Sequence, residues 1–189
     1  MSIDSLFLTF PPLETPRLFL RRMQASDAEA LFQVLSDDEV TQYYDDDTFT
    51  DSFQAREQIE VWENGYIHRR GIRWGIVRKE GGALIGSCGM YGIHPLHLRT
   101  SIGYELARPF WRQGLMTEAL DASLALGFNA MGLNRIDAVV MPGNSASIKL
   151  LEKLGFCNEG LLREYEKWGS KGFKDVCMLS LLKRTWQQL

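Results

Sequence analysis

Met141-Pro142-Gly143-Asn144-Ser145-Ala146-Ser147-Ile148-Lys149-Leu150-Leu151-Glu152-Lys153-Leu154-Gly155-Phe156 is the stretch whose reading decides the fold of this chain. It reads as the end of a strand, a turn and a short helix closed by glycine. Asn144 or Ser145 can cap the first turn, and Ile148, Leu151 and Leu154 recur at helical spacing as one apolar face. Gly155 fits the left-handed residue that ends a helix. Asn144 and Ser147 lie three residues apart, so they share a face near the positive end of that helix. A cofactor's polar groups can be met there.

Working outward, strand and helix signals alternate. The apolar run at 136–141 predicts a buried strand leading into this helix, and 115–130 predicts a long helix before it. Further upstream, strands are expected at 101–106 and 17–21, and a hairpin from 74–78 and 84–91 around Glu80-Gly81-Gly82. Helices are expected at 26–36, with a capping serine at its start, and at 52–65. Downstream, 157–168 and 175–182 can close the sheet as strands. No repeat or linker breaks this order, so one mixed α/β domain over residues 1–189 is expected, a central sheet flanked by helices.

Composition narrows the class. At 189 residues and 45% hydrophobic the chain can bury a substantial core, and its apolar runs are too short for a membrane span. The N-terminus lacks the basic flank of a secretory signal. Cys88, Cys157 and Cys177 match no ligand spacing and read as reduced core thiols of a cytoplasmic protein. His94 and His97 sit beside Pro95 with no companion ligands, which reads as a surface loop, and no metal is expected. The net charge of -3 hides an asymmetry: residues 37–51 carry seven carboxylates and no Lys or Arg, so the rest is net positive. A nucleic-acid binder would cluster basic residues instead. The acidic run is either a solvated loop or a field for a cationic acceptor, with Tyr43 and Tyr44 inside it.

A second chemical motif lies at Tyr104-Glu105-Leu106-Ala107-Arg108-Pro109-Phe110-Trp111-Arg112-Gln113-Gly114-Leu115-Met116-Thr117-Glu118-Ala119. A turn holding Arg112, Gln113 and Gly114 ahead of a long helix presents unpaired backbone N–H groups, which suit phosphate. Together, residues 111–119 and 144–156 resemble the coenzyme-binding segments of the GNAT (Gcn5-related) N-acetyltransferases. The opening Leu13-Glu14-Thr15-Pro16-Arg17-Leu18-Phe19-Leu20-Arg21 and the ending Glu159-Gly160-Leu161-Leu162-Arg163 resemble the RimJ/RimL-type branch, to which ribosomal-protein N-terminal acetyltransferases belong.

The resemblance implies a GNAT fold and transfer of acetyl from acetyl-CoA to a primary amine. It places the pyrophosphate on the backbone of Arg112, Gln113, Gly114, Leu115, Met116 and Thr117, and the pantetheine between two splayed strands, near Leu106 and Met141. A backbone N–H near Leu106 would face the thioester oxygen. Asn144 would bind the pantetheine, and Ser147 would sit by the sulfur. Many relatives are dimers, which leaves a homodimer open.

Several positions depart from the wider family. Trp111 and Met116 replace the outer residues of the Gln/Arg-x-x-Gly-x-Gly/Ala turn. Leu151 stands where a tyrosine often protonates the leaving thiolate, and Ser147 is the branch's replacement. Ser101 stands near the usual base and cannot do that work; Glu105 lies four residues on along the same strand face, and Glu166 is the position that the resemblance matches to a proposed base in the RimL-like enzymes. Each also has a plain reading: Glu105 as an arginine's ion-pair partner, Glu166 in a surface pair, Ser147 as a helix-cap serine. Trp62, Trp74 and Trp168 read as core or pocket wall, and Trp111 as a shield for the coenzyme.

Acid–base energetics rank the acceptors. At neutral pH a lysine amine of pKa ~10.4 needs roughly 4–5 kcal/mol to lose its proton, whereas an α-amine needs only about 1–1.5. A site without an evident base therefore suits a protein or peptide N-terminus. A small cationic amine such as a polyamine, amino acid or aminoglycoside-like compound is the alternative, and a non-catalytic acyl-CoA-binding module a third reading.

Overall fold

Pro16 has no N–H to give a ladder, so the opening apolar run turns there and divides into β1 (Leu13–Glu14) and β2 (Leu18–Arg22). In the computed structural model, which describes residues 6–188, these two strands pair antiparallel and begin an eight-stranded sheet. There follow α1 (Ala28–Leu35), α2 (Asp38–Thr41) and α3 (Ser52–Ile67), then β3 (Gly71–Arg78), β4 (Leu84–His94) and β5 (Arg99–Leu106). The second half comprises α4 (Leu115–Ala125), β6 (Arg135–Val140), α5 (Ser145–Lys153), β7 (Cys157–Lys167), β8 (Phe173–Leu182) and α6 (Lys183–Trp186). This is the expected mixed α/β order.

The sheet runs β1-β2-β3-β4-β5-β6-β8-β7, with β8 inserted between β6 and the edge strand β7. Every neighbouring pair is antiparallel except β5 and β6. That parallel pair is short: Arg99, Thr100 and Ser101 match Arg135, Ile136 and Asp137, and beyond them the two strands part. A splay therefore opens beside Ile102 to Leu106.

Strand alternation gives the middle of the sheet two different faces. One carries Ile72, Trp74, Ile76, Cys88, Met90 and Ile102, all buried in the main core with Leu115, Leu120, Leu124 and Phe128 from α4 and the π-helical turn Leu126–Ala130. Fully burying one such large side chain stabilises by about 1.5–3 kcal/mol. The opposite face carries Gly71, Gly75, Gly89 and Gly103, along with the polar side chains Arg73, Ser87 and Glu105. A smaller cluster of Met23, Leu31, Leu35, Phe49, Ala55 and Ile59 joins α1 and α3 on that side.

Four local expectations are corrected. Ser26 is not the cap of the first helix; a 3-10 turn (Ala25–Asp27) precedes α1, and Asp27 accepts from the Gln24 N–H at 2.8 Å and from both terminal nitrogens of Arg21. The acidic run is not all loop, because Asp37 caps the short helix α2 through the Glu39 N–H at 3.0 Å. The final strand starts two residues before the expected 175. Of the three thiols only Cys88 is a core residue; Cys157 is exposed and Cys177 half-buried, because β7 is an edge strand and β8 is only partly covered there.

Candidate active site

Beyond Ser101 and Asp137 the strands β5 and β6 no longer share hydrogen bonds, and a cavity of about 260 Å³ occupies the gap. Its wall includes both Gly103 and Tyr104, adjacent residues that face opposite sides of the sheet. The cavity therefore passes through the sheet. At one end stand Asn144 and Ser147 of α5; at the other stand Asp45, Asp46, Trp62, Arg73, Glu166 and Trp168.

The α5 end is fixed by capping. The Asn144 Oδ1 accepts the Ser147 N–H at 3.1 Å, which satisfies one orphan donor of the helix start and fixes the first turn. Asn144 is thus the cap that the sequence left open between it and Ser145. Gly155 ends the helix with φ of 87°. Within the cavity the Ser147 hydroxyl lies 2.7 Å from the phenol of Tyr104. Burial pushes the Tyr104 phenol up to about 12 against the opposing effect of Ser147, so it stays protonated at neutral pH.

Gly114 caps α4 with φ of 74°, and Arg112 is also left-handed at 59°. The turn is tied down by the chain's opening segment. Glu118 accepts from the Thr15 hydroxyl at 2.5 Å, the Arg17 N–H at 2.8 Å and the Arg17 Nε at 2.7 Å, while Arg17 also donates to the Gln113 carbonyl. Burial opposes ionisation of Glu118, but these bonds hold its carboxyl below the ordinary range. Leu115 and Met116 point into the core, so the bulk of Met116 does not crowd the exposed turn. The Trp111 indole donates to the Leu106 carbonyl at 2.6 Å and so fastens the turn to the end of β5.

On the glycine-rich face, Arg73 lies across the sheet. A Cβ at Gly89 would sit 2.6 Å from the Arg73 Cδ, and one at Gly103 would sit 3.3 Å from its Nη1, so both glycines leave the trough that the side chain fills. The Arg73 Nε donates to Ser87 at 2.7 Å, its Nη2 pairs with Glu105, and Ser87 donates to the same carboxylate. Trp62 covers the guanidinium, ring centre to Cζ 4.6 Å. Burial pushes the Glu105 carboxyl above its ordinary range, with Arg73 and Ser87 opposing. Glu105 is thus engaged by Arg73 and lies off the cavity wall, whereas Glu166 lines it and accepts from the Trp168 indole at 3.1 Å.

The acidic run is held in place as part of this wall. Lys171, in the turn between β7 and β8, donates to the carbonyls of Thr41, Tyr44 and Asp46 at 2.9, 2.8 and 3.0 Å, which uses all three ammonium donors. Asp47 accepts in return from the Ser170 N–H and hydroxyl. Burial, then repulsion from Asp45 and Asp47, pushes the Asp46 carboxyl above its ordinary range. Lys171→Met is expected to lower the unfolding free energy by about 1–3 kcal/mol and to speed amide hydrogen exchange across residues 41–47. Unchanged exchange there would show the latch to be idle.

Arg73 of the cavity wall and Lys171, which latches the acidic run, carried no sequence motif, and Tyr104 heads the second motif without a role assigned to it. A charged residue between Ile72 and Trp74, inside the apolar run that extends to Val77, is a signal that could have found Arg73. Among the described residues no group of three His, Cys, Asp or Glu side chains gathers as for a metal, and no helix is long and apolar enough to cross a membrane.

Comparison with known proteins matches residues 17–157 to the acetyltransferase (GNAT) domain. The chain is 45% identical over 156 residues to the uncharacterized N-acetyltransferase YoaA of Bacillus subtilis, covering 82% of this chain and 88% of that one. It is also 45% identical over 173 residues to the uncharacterized N-acetyltransferase p20 of Bacillus licheniformis, covering 91% and 96%. A solved structure of a putative ribosomal-protein-serine acetyltransferase from Vibrio cholerae superposes with a TM-score of 0.80 at 22% identity, covering 96% and 99%.

Proposed function

The chain belongs to the GNAT acetyltransferase family, and we propose that its single domain transfers the acetyl group of acetyl-CoA to the α-amine of a protein or peptide N-terminus. The observation that carries this reading is the cavity through the splay, which joins the coenzyme-side pair Asn144 and Ser147 to an acidic, aromatic opening at Asp45, Asp46, Glu166 and Trp168. In this reading the pyrophosphate rests on the backbone N–H groups of residues 112–117 at the start of α4, where the helix dipole adds positive potential. The pantetheine passes Asn144, whose Oδ1 is engaged in the cap and whose amide nitrogen carries the remaining donors. The carbonyl then lies at the splay, where the Leu106 N–H can stabilise the oxyanion.

The amine enters from the opposite side as a cation drawn by the carboxylates, then loses a proton to become nucleophilic. Glu166, held by Trp168, is the candidate to take that proton, directly or through water. Glu105 serves instead to keep Arg73 in its trough. An α-amine suits this site because its deprotonation at neutral pH costs only about 1–1.5 kcal/mol.

The test is release of free CoA from acetyl-CoA with three acceptor sets: peptides with a free N-terminus, the same peptides blocked at the α-amine but bearing lysine, and small amines. Turnover confined to the first set is the expected result. Equal turnover of the blocked peptides, or preference for small amines, would replace the α-amine acceptor, and tight acetyl-CoA binding without release in any set would point to a binding module.

A further inference from the structure

Leu151 removes the hydroxyl that a tyrosine on α5 would bring to the sulfur, yet a tyrosine reaches the same place from another element. Tyr104 lies on β5 just past the point where β6 departs, and its phenol meets the Ser147 hydroxyl at 2.7 Å inside the cavity. We infer that Tyr104 is a positioning residue for departure of the thiol, acting with Ser147 as one hydroxyl pair. This rests on the coenzyme placement given above.

Two hydroxyls sharing one hydrogen bond leave one O–H unspent. If Tyr104 donates to Ser147, the Ser147 O–H is left over; if Ser147 donates, the Tyr104 O–H is left over. In either arrangement the pair presents one donor to the splay. Because the phenol resists ionisation up to about 12, neither partner loses its proton as pH rises through the neutral range. The Asn144 cap holds the backbone of Ser147, and pairing opposite Cys88 of β4 holds that of Tyr104, so the pair is fixed at both ends.

The chemistry balances without consuming either hydroxyl. The amine nitrogen bonds to the thioester carbon, the tetrahedral intermediate collapses, and the C–S bond breaks with its electron pair passing to sulfur. The spare O–H gives the forming thiolate a hydrogen bond while the C–S bond lengthens. The proton lost by the attacking nitrogen finally neutralises the thiolate, so amide and free thiol are the products.

The test uses the full chain and its variants Tyr104→Phe, Ser147→Ala and the double variant, each checked by thermal unfolding. The first reading is the pKa of the thiol of bound CoA, followed by thiolate ultraviolet absorbance against pH; it needs no acceptor. A donor to the thiolate lowers that pKa; either single variant keeps one O–H but loses the hydrogen bond that aims it at the sulfur, so each is expected to raise the pKa by about 1–2 units, and the double variant little further. The second is kcat with the best acceptor, expected to fall by about 10²-fold in Ser147→Ala and by about tenfold or more in Tyr104→Phe, without additivity in the double variant, while KM for acetyl-CoA barely moves. A Tyr104→Phe protein with wild-type thiol pKa and kcat would overturn the inference, as would effects that simply add. An unchanged Ser147→Ala would overturn the coenzyme placement with it. A shifted thiol pKa in a protein that acetylates no α-amine would support the pair and remove only the acceptor reading.

Discussion

Arg73→Met is expected to lower the unfolding free energy at pH 8 by about 3–5 kcal/mol, the cost of leaving a buried carboxylate without its cation. For a chain of 189 residues each kcal/mol moves Tm by roughly 2–4 °C, so a fall of about 6–20 °C follows. Glu105 is 5% exposed and takes its bonds from Arg73 and Ser87. Burial already pushes its carboxyl up, and Arg73 is the principal opposing influence. Without that guanidinium the folded-state pKa rises further above the unfolded one. A group raised in this way contributes stability in full below its unfolded pKa, and loses that contribution as pH rises through the folded pKa. The deficit of the variant is therefore largest at pH 8 and shrinks toward pH 5, where Glu105 takes up a proton. A deficit independent of pH would mean that Arg73 acts only by filling its trough.

Neutralising the acidic wall should produce the largest change in catalysis among surface substitutions. Each carboxylate at ~5 Å from an ammonium contributes about 1–3 kcal/mol at effective dielectrics between ~20 and ~80. The triple variant Asp45→Asn, Asp46→Asn, Glu166→Gln is therefore expected to raise KM for a cationic amine by roughly a hundredfold at low salt, and by less as salt screens the field. KM for acetyl-CoA, and for an acceptor amine already neutral at the assay pH, should stay near wild type. A loss of kcat that follows Glu166→Gln alone would separate proton removal from attraction. Equal shifts for charged and neutral acceptors would show that the wall shapes the cavity without steering charge.

Much of this architecture was legible in the residues. The spacing of Ile148, Leu151 and Leu154, the cap before them and Gly155 after them specify α5 locally, and the structure reproduces that helix. The turn at Gly114 was equally plain, but the purpose of the Thr15-Pro16-Arg17 opening was not. Its partner, Glu118, lies more than a hundred residues away, and no local pattern encodes such a pairing. Tyr104 stands at the head of the second motif, but its role comes from β6 parting from β5, a property of register and not of composition. The acidic run illustrates the same limit. Seven carboxylates without a basic neighbour in sequence read as a solvated loop or as a field for a cation, and it is Lys171 and Ser170 from the turn after β7, with Arg108 on Asp37 and Glu39, that hold them in place.

That latch also orders events in time. Lys171 and Ser170 reach back across 123 to 130 positions to the segment 41–47, and contacts of such long sequence separation form slowly because loop closure must precede them. During synthesis the segments bearing α4 and α5 emerge before the turn that closes the far wall. A chain stopped short of residue 170 would lack β8 as well, the strand that lies between β6 and β7. The clasp on the segment 41–47 and the last two strands of the sheet are therefore completed together, after the residues of α4 and α5 have been made.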